Sequence, residues 1–120
     1  MSRSTFAHEA LVALSPGGDQ RAPGGAITVA LCGFWDHPAP CPVAPHRTTA
    51  ERSGHHVRLR VLFAADPDDE RWVRRVLDDV LARGWGADPE RERTTWRLVG
   101  TEPSQVLPDE REQADRLAHG

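Results

Sequence analysis

The chain has 120 residues, of which 38% are hydrophobic and 28% charged, with a net charge of −3. That length supports one hydrophobic core without disulfides. The charge excludes a strongly basic nucleic-acid or membrane-surface protein, and no stretch approaches the roughly 20 apolar residues of a membrane span.

All fifteen basic residues are Arg, and Lys, Asn and Tyr are absent. A GC-rich coding bias accounts for this more simply than a selected role for arginine in anion recognition. The N-terminus lacks a charged segment followed by an apolar run, as a secretory leader would have. The expectation is therefore a cytoplasmic protein with reduced thiols.

Residues 1–8 read as a flexible N-terminus. Glu9 to Ser15 is a short apolar run closed by Ser15-Pro16-Gly17-Gly18, and it is expected to be a strand. Ala26 to Phe34 is expected to be the next strand, antiparallel to the first, because Ile27, Val29 and Leu31 alternate with Thr28, Ala30 and Cys32. A Cys/His/Pro-rich loop, 32–56, follows, with Arg47 to Gly54 as a polar connection. Val57 to Ala64 is the clearest strand, with Val57, Leu59, Val61 and Phe63 on one face.

The principal helix is signalled most fully. Asp66 can cap it, Pro67 suits its first position, and Asp68, Asp69 and Glu70 oppose the positive end of the dipole. Trp72, Val73, Val76, Leu77, Val80 and Leu81 form an apolar stripe, and Gly84 is expected at C′. Thr94 to Gly100 reads as a last strand. Residues 101–120 read as a polar tail in which DEREQADRLAH forms at most a frayed helix.

These elements make residues 9–100 a single α+β domain. Its sheet is mainly antiparallel, with three to four strands and one principal helix on one face, similar to part of a ferredoxin-like sandwich. The strand–helix–strand unit at its end predicts two parallel strands and a right-handed crossover. One helix covers a sheet face only partly, so Leu62, Ala30 and the tryptophans are expected to face a second subunit in a homodimer.

The chemistry-bearing feature is the loop. Cys32, His37, Cys41 and His46 alternate as C-x4-H-x3-C-x4-H, with four prolines between them. Two thiolates and two imidazoles are the set that a tetrahedral zinc prefers. The even spacing is not that of a known zinc framework, so the match is one of donor chemistry. A metal-binding protein, with zinc in a structural or regulatory role, is the first expectation. His55 and His56 are spare donors.

The bland reading is a buried thiol on a strand and solvated loop histidines. The same two cysteines could instead form a disulfide or a redox pair. Two other functional classes compete with a metal protein. One is a non-enzymatic protein-interaction or accessory module with an incidental Cys/His loop. The other is a small thiol- or metal-dependent enzyme using Cys32, Asp36 and His37, or a metal-bound water with Asp36 or Glu51 as base.

Trp35 is expected to anchor the loop, Trp72 and Trp96 to pack in the core, and Trp85 to pack back under the end of the helix. Arg58, Arg60 and Arg97 are expected to share a solvated face rather than a nucleic-acid platform, since no aromatic residues interleave with them.

Overall fold

A computed structural model describes residues 3–32, 44–86 and 93–119. Five strands, Ser4–Leu14 (β1), His46–Ser53 (β2), His56–Ala65 (β3), Trp85–Gly86 (β4) and Thr94–Ser104 (β5), form one sheet in the order β2-β3-β1-β5-β4. Every pairing is antiparallel. Three α-helices accompany it among the described residues: Ala22–Cys32 (α1), Glu70–Arg83 (α2) and Arg111–His119 (α3). The fold is α+β, with more strands and helices than the pattern predicts.

β1 is the central strand and begins at Ser4, so the expected loose N-terminus is overturned from that residue on. The period-2 pattern accounts for the gain. Ala10, Val12 and Leu14 turn into the main core, with Phe6 packed against it, while Ala7, Glu9, Leu11 and Ala13 take the opposite face. β3 supplies Val57, Leu59, Val61 and Phe63 to the same core, as expected.

The segment expected to be a second strand is α1. Its buried residues are Pro23, Ala26, Ile27 and Leu31, while Val29 is 42% exposed. Spacing of three to four is a helix period, and the alternation of Ile27, Val29 and Leu31 does not survive. Asp19 prepares the entry, accepting the Arg21 N–H at its Oδ1 (2.9 Å) and the Ala22 N–H at its carbonyl (3.0 Å). Residues 33 and 34, the end of the expected strand, lie outside the described residues.

The polar connection Arg47 to Gly54 is strand β2. It is paired along its length with β3 through a two-residue hairpin loop, Gly54-His55. Gly54 has φ +64°, and among the described residues only glycines take a positive φ. Glycine at the first loop position is what a twist-matched hairpin requires.

β3 and β5 are parallel to each other, as expected, but β1 lies between them and pairs with both. α1 and α2 pack on one sheet face and against each other. α2 buries Val73, Leu77, Val80 and Leu81. The predicted stripe holds except at its edge, where Trp72 is 52% exposed rather than in the core. Asp66 accepts the Asp68 N–H at 2.9 Å across an opening 3-10 turn, and Gly84 closes the helix at φ +81°.

The tail is also built differently from expectation. α3 docks on the sheet face opposite α1 and α2, with Ala114 fully buried. Leu62, expected to await a second subunit, is only 3% exposed and belongs to this covered face. The turn before α3 is clamped by Arg60. Its Nε and Nη2 donate to Glu110 at 2.7 Å each, and Nη1 donates to Ser104 Oγ at 2.9 Å. The Arg60 hydrogen bonds hold the Glu110 carboxyl below the usual carboxylate range.

Trp96 is core, as expected, with its indole N–H on the Leu81 carbonyl at 2.9 Å. Trp85 is half-buried beside the end of α2, and the guanidinium carbons of Arg83 and Arg93 stand 4.0 and 4.3 Å from its ring centroid.

Candidate functional site

His46 opens β2 on the face that meets α1. Its Nδ1 lies 3.2 Å from the Ala44 carbonyl oxygen, which fixes the proton on that nitrogen. Nε2 therefore carries the lone pair, and it faces the Thr28 hydroxyl of α1 at 3.2 Å. Burial keeps the imidazole pKa below its ordinary value, so the ring is neutral at pH 7.

The Thr28 hydroxyl is also 3.2 Å from the Gly24 carbonyl. It can turn to that acceptor and leave Nε2 free. A neutral imidazole with one nitrogen tied to a backbone carbonyl and the other open is the arrangement that orients a metal-ligating histidine.

Cys32 lies one helical turn beyond Thr28. Residues four apart on a helix share a face, so the Cys32 position lies on the same face of α1 as Thr28, which meets His46 across the α1–β2 cleft. The other two expected ligands, His37 and Cys41, lie outside the described residues, as do Trp35 and Asp36. The cleft holds an open hollow of about 300 Å3 lined by Thr28, His46, Thr48 and Ala50, among others. Thr48 Oγ1 is buried there without a hydrogen-bond partner among the described residues. Among those residues no three His, Cys, Asp or Glu side chains group as metal ligands. His55 and His56, the spare donors, are exposed at the far end of the β2–β3 hairpin.

A second polar cluster was missed by sequence reasoning. His8 is 2% exposed on the core side of β1. Its Nδ1 accepts from Arg74 Nη1 at 2.9 Å, so its proton is on Nε2. That nitrogen meets Thr101 Oγ1 at 2.7 Å and Asp78 Oδ1 at 3.0 Å, and the Thr101 hydroxyl donates to Asp78 at 2.7 Å. Arg74 also donates to the Ala7 carbonyl (2.7 Å) and Glu70 (2.8 Å), and its guanidinium lies over the rings of Phe6 and Phe63.

The readable signal was Glu70, Arg74 and Asp78 at four-residue steps, a polar line along the α2 flank. With its donors and acceptors met, the network reads as a satisfied buried group that locks α2 to β1 and β5.

Burial, reinforced by the Arg74 charge and opposed by Asp78, lowers the His8 pKa from 6.5. The unfolded chain then takes up its proton first as pH falls. His8 thus contributes stability that is present above about pH 6.5 and lost as pH drops towards the lowered folded value. Urea unfolding at pH 7.5 and 5 should show this loss, and His8→Gln should flatten it relative to wild type. His46, which shifts the same way, contributes equally to both proteins. Parallel pH profiles for the two would refute the assignment.

Arg58, opposite Leu11, and Arg97, opposite Ala13, share a sheet face by register, as expected. Arg60 lies on that face too but is committed to Glu110. A shallow hollow of about 250 Å3 lies beside Arg58, Leu11 and Gly100. No helix among the described residues is long and apolar enough to cross a membrane.

No protein-family model and no curated protein matches the chain. Among solved structures, the crystal structure of an aminobenzoyl-glutamate utilization protein from Klebsiella pneumoniae is similar to 95% of this chain, at 15% identity and a TM-score of 0.40. The chain spans 33% of the length of that one.

Proposed function

We propose that this is a small cytoplasmic metal-binding protein that holds zinc, or another transition metal, through Cys32, His37, Cys41 and His46. The metal's role is structural or regulatory. The observation that carries this reading is the His46 ring, with Nδ1 tied to Ala44 and Nε2 turned to α1 one turn before Cys32. The reading also accounts for concentrating both cysteines in one proline-rich stretch. Bound metal stabilises the segment that supplies its ligands, since binding and ordering share one free energy.

The scaffold beneath this site is proposed to be ferredoxin-like. In its support, β1-α1-β2-β3-α2-β5 follows the split strand–helix–strand order, and these four strands lie side by side in the sheet as β2-β3-β1-β5.

The test is the metal content of untagged protein purified without chelator, with a free-thiol count. About one zinc per chain, lost in Cys32→Ser and in His46→Ala, is expected. No bound metal together with two titratable thiols would remove the reading. In that case the competing one, a protein-interaction module, leads. It is favoured by Trp72, 52% exposed on the outer side of α2, since tryptophan is enriched among the residues that dominate interfaces.

A further inference from the structure

We propose that β2 is the seam of a symmetric homodimer, in which two copies pair antiparallel about a two-fold axis at Thr49 and continue the sheet from one molecule to the next. The argument is independent of the metal reading.

Among the described residues, β2 is the outermost strand on its side of the sheet. Exposed edges are normally blunted by short length, proline, charged side chains or a bulge. β2 has eight residues and no proline, its register with β3 runs without interruption, and its charges, Arg47, Glu51 and Arg52, are of both signs and so can pair across a seam.

The hydrogen-bond phase of the free edge follows from one contact. The Ala64 N–H donates to the Pro45 carbonyl at 2.9 Å, and in an antiparallel ladder the bonded residues alternate. Arg47, Thr49, Glu51 and Ser53 therefore turn their backbone groups towards β3. His46, Thr48, Ala50 and Arg52 turn theirs outward.

Side-chain direction then restricts the register. Residues facing each other across an antiparallel seam lie on the same sheet face. An axis at Thr49 satisfies this and places Arg47 opposite Glu51 of the second copy, Glu51 opposite its Arg47, and Thr49 opposite itself. An axis at Thr48 sets Arg47 against Thr49, and an axis at Ala50 sets it against Ser53. Neither makes an ion pair.

With the axis at Thr49, both Arg–Glu pairs and the Thr–Thr pair fall at the non-hydrogen-bonded positions, where side chains approach most closely. The outward backbone groups of Thr48 and Ala50 meet each other. Both charged residues are exposed. Glu51 makes no ion pair among the described residues, while the Arg47 Nε donates to the Gln113 side-chain oxygen at 2.9 Å. Arg52 is drawn off the seam to the Gly54 carbonyl at 3.0 Å.

The test is sedimentation velocity of the full chain over a concentration series up to about 100 µM. A monomer–dimer equilibrium is expected for wild type. Glu51→Arg and Arg47→Glu should each weaken dimerisation roughly tenfold or more, because each places like charges opposite one another twice per dimer. The double variant should return to near wild-type affinity, a rescue that mere loss of folding cannot mimic.

Ala50→Pro removes an outward N–H and none of the β2–β3 bonds, so it should give a folded monomer. A wild-type protein that stays monomeric throughout would overturn the proposal. So would a dimer indifferent to Glu51→Arg, or a double variant no better than the singles.

Discussion

Replacing Phe63 with alanine is expected to cost roughly 3–5 kcal/mol, the largest effect of any single truncation in the core. Phe63 is fully buried near the end of β3. Its ring lies 5.3 Å from that of Phe6 across the β1–β3 pair. The Arg74 guanidinium stands 5.4 Å above it, a cation held over a ring face in a mostly desolvated site. Removing the ring leaves a cavity below Arg74, the same side chain that satisfies the His8 imidazole and the Ala7 carbonyl. The truncation therefore loosens a polar network as well as an apolar one.

For a domain of this size such a loss lowers the melting temperature by roughly 12–20 °C. Phe63→Leu, which keeps most of the volume, separates the two contributions. If packing dominates, it recovers most of the stability; if the cation over the ring matters, it remains well below wild type. A melting temperature within a few degrees of wild type for Phe63→Ala would show that this core has been wrongly located.

The parts of the fold that were legible had local chemistry and global burial in agreement. Asp66 and Pro67 open the 3-10 turn that leads into α2, and the apolar stripe, apart from Trp72, and the terminating Gly84 occupy their expected places. β3 alternated cleanly because one of its faces is core along its whole length.

α1 was misread because its apolar residues occur at nearly every position from Ala26 to Leu31. Such a run satisfies a strand period and a helix period equally well, and β-branched Ile27, Thr28 and Val29 tilt the reading to strand. β2 was missed for the opposite reason. As an edge strand it is solvated along most of its length, so HRTTAERS carries no hydrophobic alternation. Its only local sign was Ser53-Gly54, a hairpin turn signal.

Reassigning α1 also changes the candidate site. A strand would have carried Cys32 near its C-terminal end, whereas the helix places that position one turn after Thr28, which meets His46. The His8 network was illegible for a different reason. Its partners are 66 to 93 residues away, and only the tertiary fold makes a lone inward histidine acceptable.

Gly84→Ala is the second large effect, expected to destabilise by roughly 2–4 kcal/mol, from left-handed strain and overpacking together. Gly84 closes α2 at φ +81°, a conformation that costs an L-residue about 1–2 kcal/mol. The position is also crowded. A Cβ there would sit 2.7 Å from the Trp96 carbonyl oxygen, inside the closest approach that carbon and oxygen tolerate.

That oxygen cannot yield cheaply. The Trp96 N–H donates to the Gly84 carbonyl at 2.9 Å, and the Trp96 indole is fixed by the Leu81 carbonyl at the same helix end. Moving the strand away from the new methyl group breaks one of these bonds or opens the core around Trp96. Asparagine tells the two costs apart, because it tolerates the left-handed region but carries the same Cβ. If backbone strain dominates, Gly84→Asn should recover most of the stability lost in Gly84→Ala. If the close approach of β5 to the helix end dominates, the two variants should melt at nearly the same temperature, which is the result the 2.7 Å contact predicts. A Gly84→Ala protein as stable as wild type would mean that α2 and β5 do not meet at this glycine.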